Sequence, residues 1–255
     1  MATHLNWRLL VGEFVVVVVG VLMALWVDEL REARVNATLE VEYLQSLVTD
    51  VEADLAQFDS AEAWMRRQET SAATVLALYD GSPPTANLAD LVTAVETAGW
   101  QYYPSITRNT IEDLRSTGNL RLIRDPALRR AISSYYATTE VNSVPLADIR
   151  DRIWDQYDAR VGNVLGPRER LGVLQQPGTF GDGITSGAIE AAEPPNLEEL
   201  MAALRAFPDL EIAAGEVVYQ TIAARATVAR TRKAALELKA TLDQWLSPEI
   251  GRAHV

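Results

Sequence analysis

Residues 30–79, LREARVNATLEVEYLQSLVTDVEADLAQFDSAEAWMRRQETSAATVLALY, decide the fold. Positions alternating three and four apart run Leu30, Arg34, Ala37, Val41, Leu44, Val48, Val51, Leu55, Phe58, Glu62, Met65, Glu69, Ala72, Leu76 and Tyr79; twelve of the fifteen are apolar, enough to set one face. That spacing predicts a long helix with a single seam, packed coiled-coil style on its neighbours. Leu39, Tyr43 and Leu47 widen the stripe, which favours a bundle over a two-stranded coil. The helix should stop at Asp80-Gly81-Ser82-Pro83-Pro84, where glycine supplies a cap and the prolines cannot continue it.

Near the other end of the chain the same spacing returns in Leu210, Ala214, Val217, Thr221, Ala224, Val228, Thr231, Ala235, Leu238, Leu242 and Trp245. Alanine lets helices approach closely, and the simplest partner is the long helix, met antiparallel. Between these two lie shorter helices. One starts after Asn87, a good N-cap, and ends at Gly99; a second is capped by Ser105 and stops at Gly118. A third begins at Asp125-Pro126, and Pro145 should divide it into two helices. Residues 166–195 hold ten glycines and prolines in thirty, so this stretch is expected to be a surface excursion without helical periodicity. A phosphate loop is not expected there, since no Gly-Lys-Ser/Thr follows.

Upstream of the long helix, Leu9 to Val27 read LLVGEFVVVVVGVLMALWV with Glu13 as the only charge. Nineteen such residues cover about 28 Å, close to the bilayer core of about 30 Å, so a transmembrane helix is expected. Trp7 and Trp26 bracket it as interface anchors. Gly12, Val16, Gly20 and Ala24 form a small-residue stripe for helix–helix contact, and Glu13 is an intramembrane carboxylate that either snorkels or meets a partner subunit. The expected class is therefore all-α, a transmembrane helix continuing into a long helix within an antiparallel bundle. Its divisions are a tail over 1–8, the span over 9–27, helical domain over 28–165, the excursion over 166–195, C-terminal helices over 196–249 and, over 250–255, IGRAHV, which a common sequencing adapter encodes in one frame and which is read as an artefact. Orientation is expected to put the N-terminus in the cytoplasm and the domain outside a bacterial inner membrane.

Composition excludes more than it identifies. With 23 Lys and Arg against 35 Asp and Glu, the net charge of -12 argues against nucleic acid, which requires clustered cations to displace counterions. Cysteine is absent, and the only histidines, His4 and His254, stand at the two ends. Thiolate chemistry, a Ser-His-Asp triad and a histidine-ligated metal are therefore unavailable to the body of the chain. Only Lys233 and Lys239 supply amines. No catalytic residue, cofactor site or metal site is expected.

Several phrases occur together: Gly12-Glu13 entering an apolar run, Gly20, Asp28, Glu42-Tyr43-Leu44, Ile111 to Leu120 (IEDLRSTGNL), Leu122 to Pro126 (LIRDP) and Tyr135-Tyr136. In these the chain resembles a bacterial membrane-protein family known as domain of unknown function 6090. The resemblance covers most of residues 7–165 and implies a single-pass membrane protein; it brings no activity with it.

Individual motifs favour structural roles. Ser116-Thr117-Gly118-Asn119 fits a helix end and turn, and Tyr102, Tyr103, Tyr135, Tyr136 and Trp154 fit core packing more readily than a pocket. Acidic pairs such as Glu112 with Asp113, Asp148 with Asp151 or Glu198 with Glu199 are too common in this chain to single one out. The leading expectation is a non-enzymatic, single-pass protein whose helical domain is an interaction, scaffold or sensing module, with the lipid bilayer and a protein partner or second copy as its contacts. The alternatives are a membrane-tethered hydrolase using carboxylates and the sensor half of a larger receptor.

Overall fold

A computed structural model of the chain describes residues 7–81, 87–174, 190–192 and 195–247, with side chains from residue 13 onward except at 173 and 174. Among the described residues every regular element is helical, in keeping with the all-α class. Helix α1 (Trp7–Ala77) is unbroken, and is followed by α2 (Leu88–Thr97), α3 (Asn109–Ser116) and α4 (Pro126–Ile153). A π turn (Trp154–Asp158) leads into the short α5 (Ala159–Val161), and α6 (Pro167–Leu174), α7 (Leu197–Arg205) and α8 (Pro208–Leu246) complete the order. The adapter-like residues 250–255 lie outside the described residues.

The transmembrane helix expected over Leu9–Val27 is not borne out: among the described residues no helix is long and apolar enough to cross a membrane. Leu9 to Gly12 precede the first described side chain. From there the uncharged run is Phe14 to Val27, fourteen residues between Glu13 and Asp28. That makes about 21 Å of helix against about 30 Å of hydrocarbon. The single-pass reading, the lipid-bilayer partner and the inner-membrane location rested on the span and fall with it. Trp7 and Gly12 have no described side chains, while Glu13, Val16, Ala24 and Trp26 are exposed and Gly20 has nothing within 4 Å of where a side chain would start.

The described residues fall into two units that share α1, α4 and α8. The first takes its residues from Met1–Asp50, Arg108–Ala131 and Lys239–Val255. Leu44, Leu47, Ile111, Leu114, Ile123, Leu128 and Leu242 are buried in it. Glu40, fully buried, accepts from the Arg124 backbone N–H at 2.7 Å and from Arg124 Nε at 2.8 Å. Helix α3 starts three residues later than the Ser105 cap predicts, at Asn109, and has no side-chain cap of its own. Its free Thr110 N–H donates instead to Asp50 of α1 at 3.2 Å, so the orphan donor of a helix start is satisfied from a different helix.

The second unit comprises Val51–Thr107 and Ile132–Leu238. Here α1 and α8 run antiparallel. Asp59 meets Arg232 and Gln68 meets Thr221, so one numbering falls as the other rises. The α8 seam is buried at every expected position from Leu210 to Leu242, and only Trp245 is partly exposed.

The α1 seam is half displaced. Leu44, Val51, Phe58, Met65 and Ala72 are buried as the spacing predicts, but the alternate positions are Glu40, Leu47, Asp54, Ala61, Gln68 and Val75, each one residue before the expected one. The displacement buries two carboxylates and an amide in place of Val41, Leu55 and Glu69. Each is fully engaged, as burial of a polar group requires. Asp54 accepts from the Thr107 backbone N–H at 2.7 Å and from Tyr135 Oη at 2.6 Å. Gln68 Nε2 donates to the Ala98 carbonyl at 3.0 Å, and its Oε1 accepts from Thr221 Oγ1 at 3.1 Å.

Pro145 does not divide α4 as expected; it sits inside one helix. The proline and its neighbours Val141, Ser143 and Val144 are exposed, so the carbonyl it leaves without a donor can turn to water.

Candidate functional site

The second unit contains a cleft of about 840 Å³ between three short pieces of chain. One is the end of α2 with the chain that leaves it, contributing Glu96, Trp100 and Gln101. Helix α2 begins at Asn87, whose side chain accepts from the Asp90 N–H as the sequence predicts, and buries Leu91, Val92 and Val95. The chain leaves it through Gly99, where a Cβ would stand 2.9 Å from Cδ1 of Tyr157. Glycine is needed there for close approach, since Tyr157 is 1 % exposed and tied by its Oη to the Val95 carbonyl at 2.8 Å. Burial, then the charge of Glu96, pushes the Tyr157 phenol well above its usual range.

The second piece is the end of α4 and the π turn, contributing Arg150, Asp151, Trp154 and Asp155. Buried residues here follow at four-residue steps, Ile149, Ile153, Tyr157 and Val161. Such a stripe drifts around an α-helix of 3.6 residues per turn, and a wider π turn takes the drift out. Tyr157 thereby stays inward while Trp154, 55 % exposed, and Asp155 face the cleft.

The third piece is α6, contributing Pro167, Arg170 and Leu171. This corrects the expectation of an unstructured excursion from residue 166: Pro167 occupies the first helical position, and one turn on Arg170 points back to α2. Residues 175–189, 193 and 194, the rest of the excursion, lie outside the described residues apart from 190–192 and 195.

An ion-pair network forms the floor. Arg170 Nε donates to Glu96 Oε2 at 2.6 Å and its Nη2 to Glu96 Oε1 at 3.3 Å, and it also bonds Asp158. Burial works against the Arg170 charge, but the hydrogen bonds and charges of Glu96 and Asp158 outweigh it and hold the guanidinium pKa above the usual arginine value. Glu96 Oε1 further accepts from Trp100 Nε1 at 3.1 Å. Both carboxylate oxygens are thus committed, which leaves Glu96 unsuited to act as a base. At the rim Arg150 pairs with Asp151 at 2.9 Å. Asp155 has neither hydrogen bond nor ion pair among the described residues. Tyr103 bonds Gln101 Oε1; its phenol is raised by burial, with Arg150 lowering and Asp151 raising it in smaller measure. Gln101 Nε2 is buried and lacks a partner among the described residues.

Of the aromatic residues weighed in the sequence, Tyr135 and Tyr136 are core, packed edge to face at 5.0 Å, and Tyr102 bonds Gln57. Only Trp154 lines the cleft. Ser116 to Asn119 form a helix end, with Gly118 left-handed at φ 74° and both hydroxyls bonded to the Asp113 carbonyl. The acidic pairs are separately occupied: Asp148 with Arg152, Asp113 with Tyr43, and Glu199 in a capping box with Asn196. Among the described residues no group of three or more metal-ligating side chains is placed to hold an ion. Glu96, Arg170 and Leu171 went unrecognised in the sequence; the Gly166-Pro167 helix start was the one local signal that could have drawn attention to α6.

No protein-family model, curated protein or solved structure matches the chain. The likeness to domain of unknown function 6090 is accordingly corrected: no family model supports it, and the span that the likeness implies is missing from the described residues.

Proposed function

We propose that the protein is a non-enzymatic binding module that takes a small molecule with an apolar, ring-sized body in the cleft between α2, the π turn and α6. The observation that carries this reading is the cleft itself, about 840 Å³, where Trp100, Trp154, Pro167 and Leu171 supply apolar surface among charged and amide side chains. Ligand sites are concave, mostly apolar and of about 300–1,000 Å³, with a small number of placed polar atoms. A π turn inserted where a helix meets a site is a recurrent functional feature. Against hydrolysis by carboxylates stands the full occupancy of Glu96 by Arg170 and Trp100.

The test is ligand-observed NMR on the full chain with a library of one- and two-ring fragments of mixed charge, repeated on Trp154→Ala and Leu171→Glu. Saturation transfer to a subset of fragments, lost in both variants while their helical circular dichroism persists, is expected. Fragments that bind all three proteins alike, or no binding fragment at all, would overturn the reading.

A further inference from the structure

The charges around the cleft do not balance, and the imbalance specifies its ligand. Four carboxylates belong to the site, Glu96, Asp151, Asp155 and Asp158, against two guanidiniums, Arg150 and Arg170. Arg170 is held by Glu96 and Asp158, while Arg150, half exposed at the rim, shares its Nε with Asp151. Among the described residues Asp155 has no ion-pair partner; it is next in sequence to Trp154, and both line the cleft. Indole faces are negative at their centres and attract cations, most effectively where water is partly excluded.

Resting on the small-molecule reading above, we infer that the ligand of the cleft is an organic cation: a quaternary ammonium on an apolar body, its charge met by the Trp154 indole and the Asp155 carboxylate. A soft, weakly hydrated ammonium loses little on leaving water and has no N–H that needs a fixed acceptor, which suits a site whose other acceptors are already taken. A carboxylate or phosphate would meet the Asp155 and Asp151 carboxylates, with the Arg170 guanidinium already held by Glu96 and Asp158. The chain's net charge of -12 adds long-range attraction for cations and repels anions.

The decisive measurement is the affinity of the full chain for phenyltrimethylammonium, for its uncharged carbon isostere tert-butylbenzene, and for benzoate, read by tryptophan fluorescence and by ligand-observed NMR at two salt concentrations. The cation should bind about tenfold more tightly than the isostere, the size of a partly desolvated cation–π contact plus one carboxylate. Benzoate should bind most weakly. Asp155→Asn, an exposed change that leaves the fold intact, should lower the cation's affinity roughly threefold to tenfold and leave tert-butylbenzene unchanged. Equal binding of cation and isostere, or an Asp155→Asn variant that binds the cation as before, overturns this inference while leaving the cleft as a site. Failure of all three probes and of the fragment library overturns both.

Discussion

Asp54 and Glu96 are both buried carboxylates, and each has its oxygens engaged by donors, yet their surroundings differ. Asp54 sits in the α1 seam, where the backbone N–H of Thr107 and the hydroxyl of Tyr135 converge on it inside packed protein. Glu96 holds the guanidinium of Arg170 and the indole N–H of Trp100, with a cavity on its open side. The first carboxylate fixes where a loop and a helix lie. The second fixes a wall and keeps a positive charge neutralised beside an empty space. A buried acid surrounded by atoms is structural, whereas one that backs onto a cleft sets the electrical character of what enters.

The largest effect expected from breaking this comparison is at Asp54. Asp54→Ala removes the carboxylate that accepts from the buried Tyr135 hydroxyl and the half-buried Thr107 N–H and should cost about 3 kcal/mol. Urea denaturation followed by circular dichroism measures it; a loss under about 1 kcal/mol would show that the seam tolerates the gap. Glu96→Gln should cost less, about 2 kcal/mol, because the amide still accepts from Trp100 but sets donor against donor at Arg170. Its signature is in binding: with Arg170 partly released toward the cleft, phenyltrimethylammonium should weaken and benzoate should gain, whereas Asp54→Ala should shift neither once the protein is folded.

Gly99→Ala sharpens the comparison from the packing side. A methyl group placed 2.9 Å from the Tyr157 ring must push a side chain that has no room to yield, at a cost of about 1–2 kcal/mol. A melting temperature equal to that of the parent would refute the close approach. The smallest expected effect is alkaline. Burial, and then Glu211, raises the Tyr79 phenol from 10.0 to about 12. A raised folded pKa favours the protonated form, so its contribution is complete below pH 10 and is lost as pH climbs from 10 towards 12. Tyr79→Phe should flatten the fall in urea midpoint across that window, and an unchanged slope would count against it.

How much of this was legible in the sequence depended on what each helix packs against. The α8 seam was readable almost whole because Ala214, Val217, Ala224, Val228 and Ala235 bury without needing partners. On α1 the same spacing identified Leu44, Val51, Phe58, Met65 and Ala72 and then chose Val41, Leu55 and Glu69 over Glu40, Asp54 and Gln68. Matching by hydrophobicity cannot see that a carboxylate will be buried when its donors stand about fifty to eighty residues downstream. The apolar run before Asp28 misled in the opposite direction, because length was counted through Glu13. The cleft was nearly invisible: Trp154 was noticed, but Glu96 and Arg170 are 74 residues apart and α6 lies in a stretch whose glycines and prolines suggested no structure.

The three polar residues of the α1 seam also stand at a regular interval. Glu40, Asp54 and Gln68 are fourteen residues apart, and Leu47, Ala61 and Val75 lie halfway between and beyond them. Sliding the helix by one heptad would keep the Leu44, Val51, Phe58, Met65 and Ala72 series in apolar places, but would set Leu47 against the Arg124 N–H, Ala61 against the Tyr135 hydroxyl and Val75 against the Ala98 carbonyl, and would carry Asp54 and Gln68 into the places of Leu47 and Ala61. A featureless heptad helix tolerates such slippage, and single polar seam residues are known to forbid it. In this chain the buried polar groups work as the teeth of a key, which lets a helix of 71 residues find one alignment among several of similar hydrophobicity.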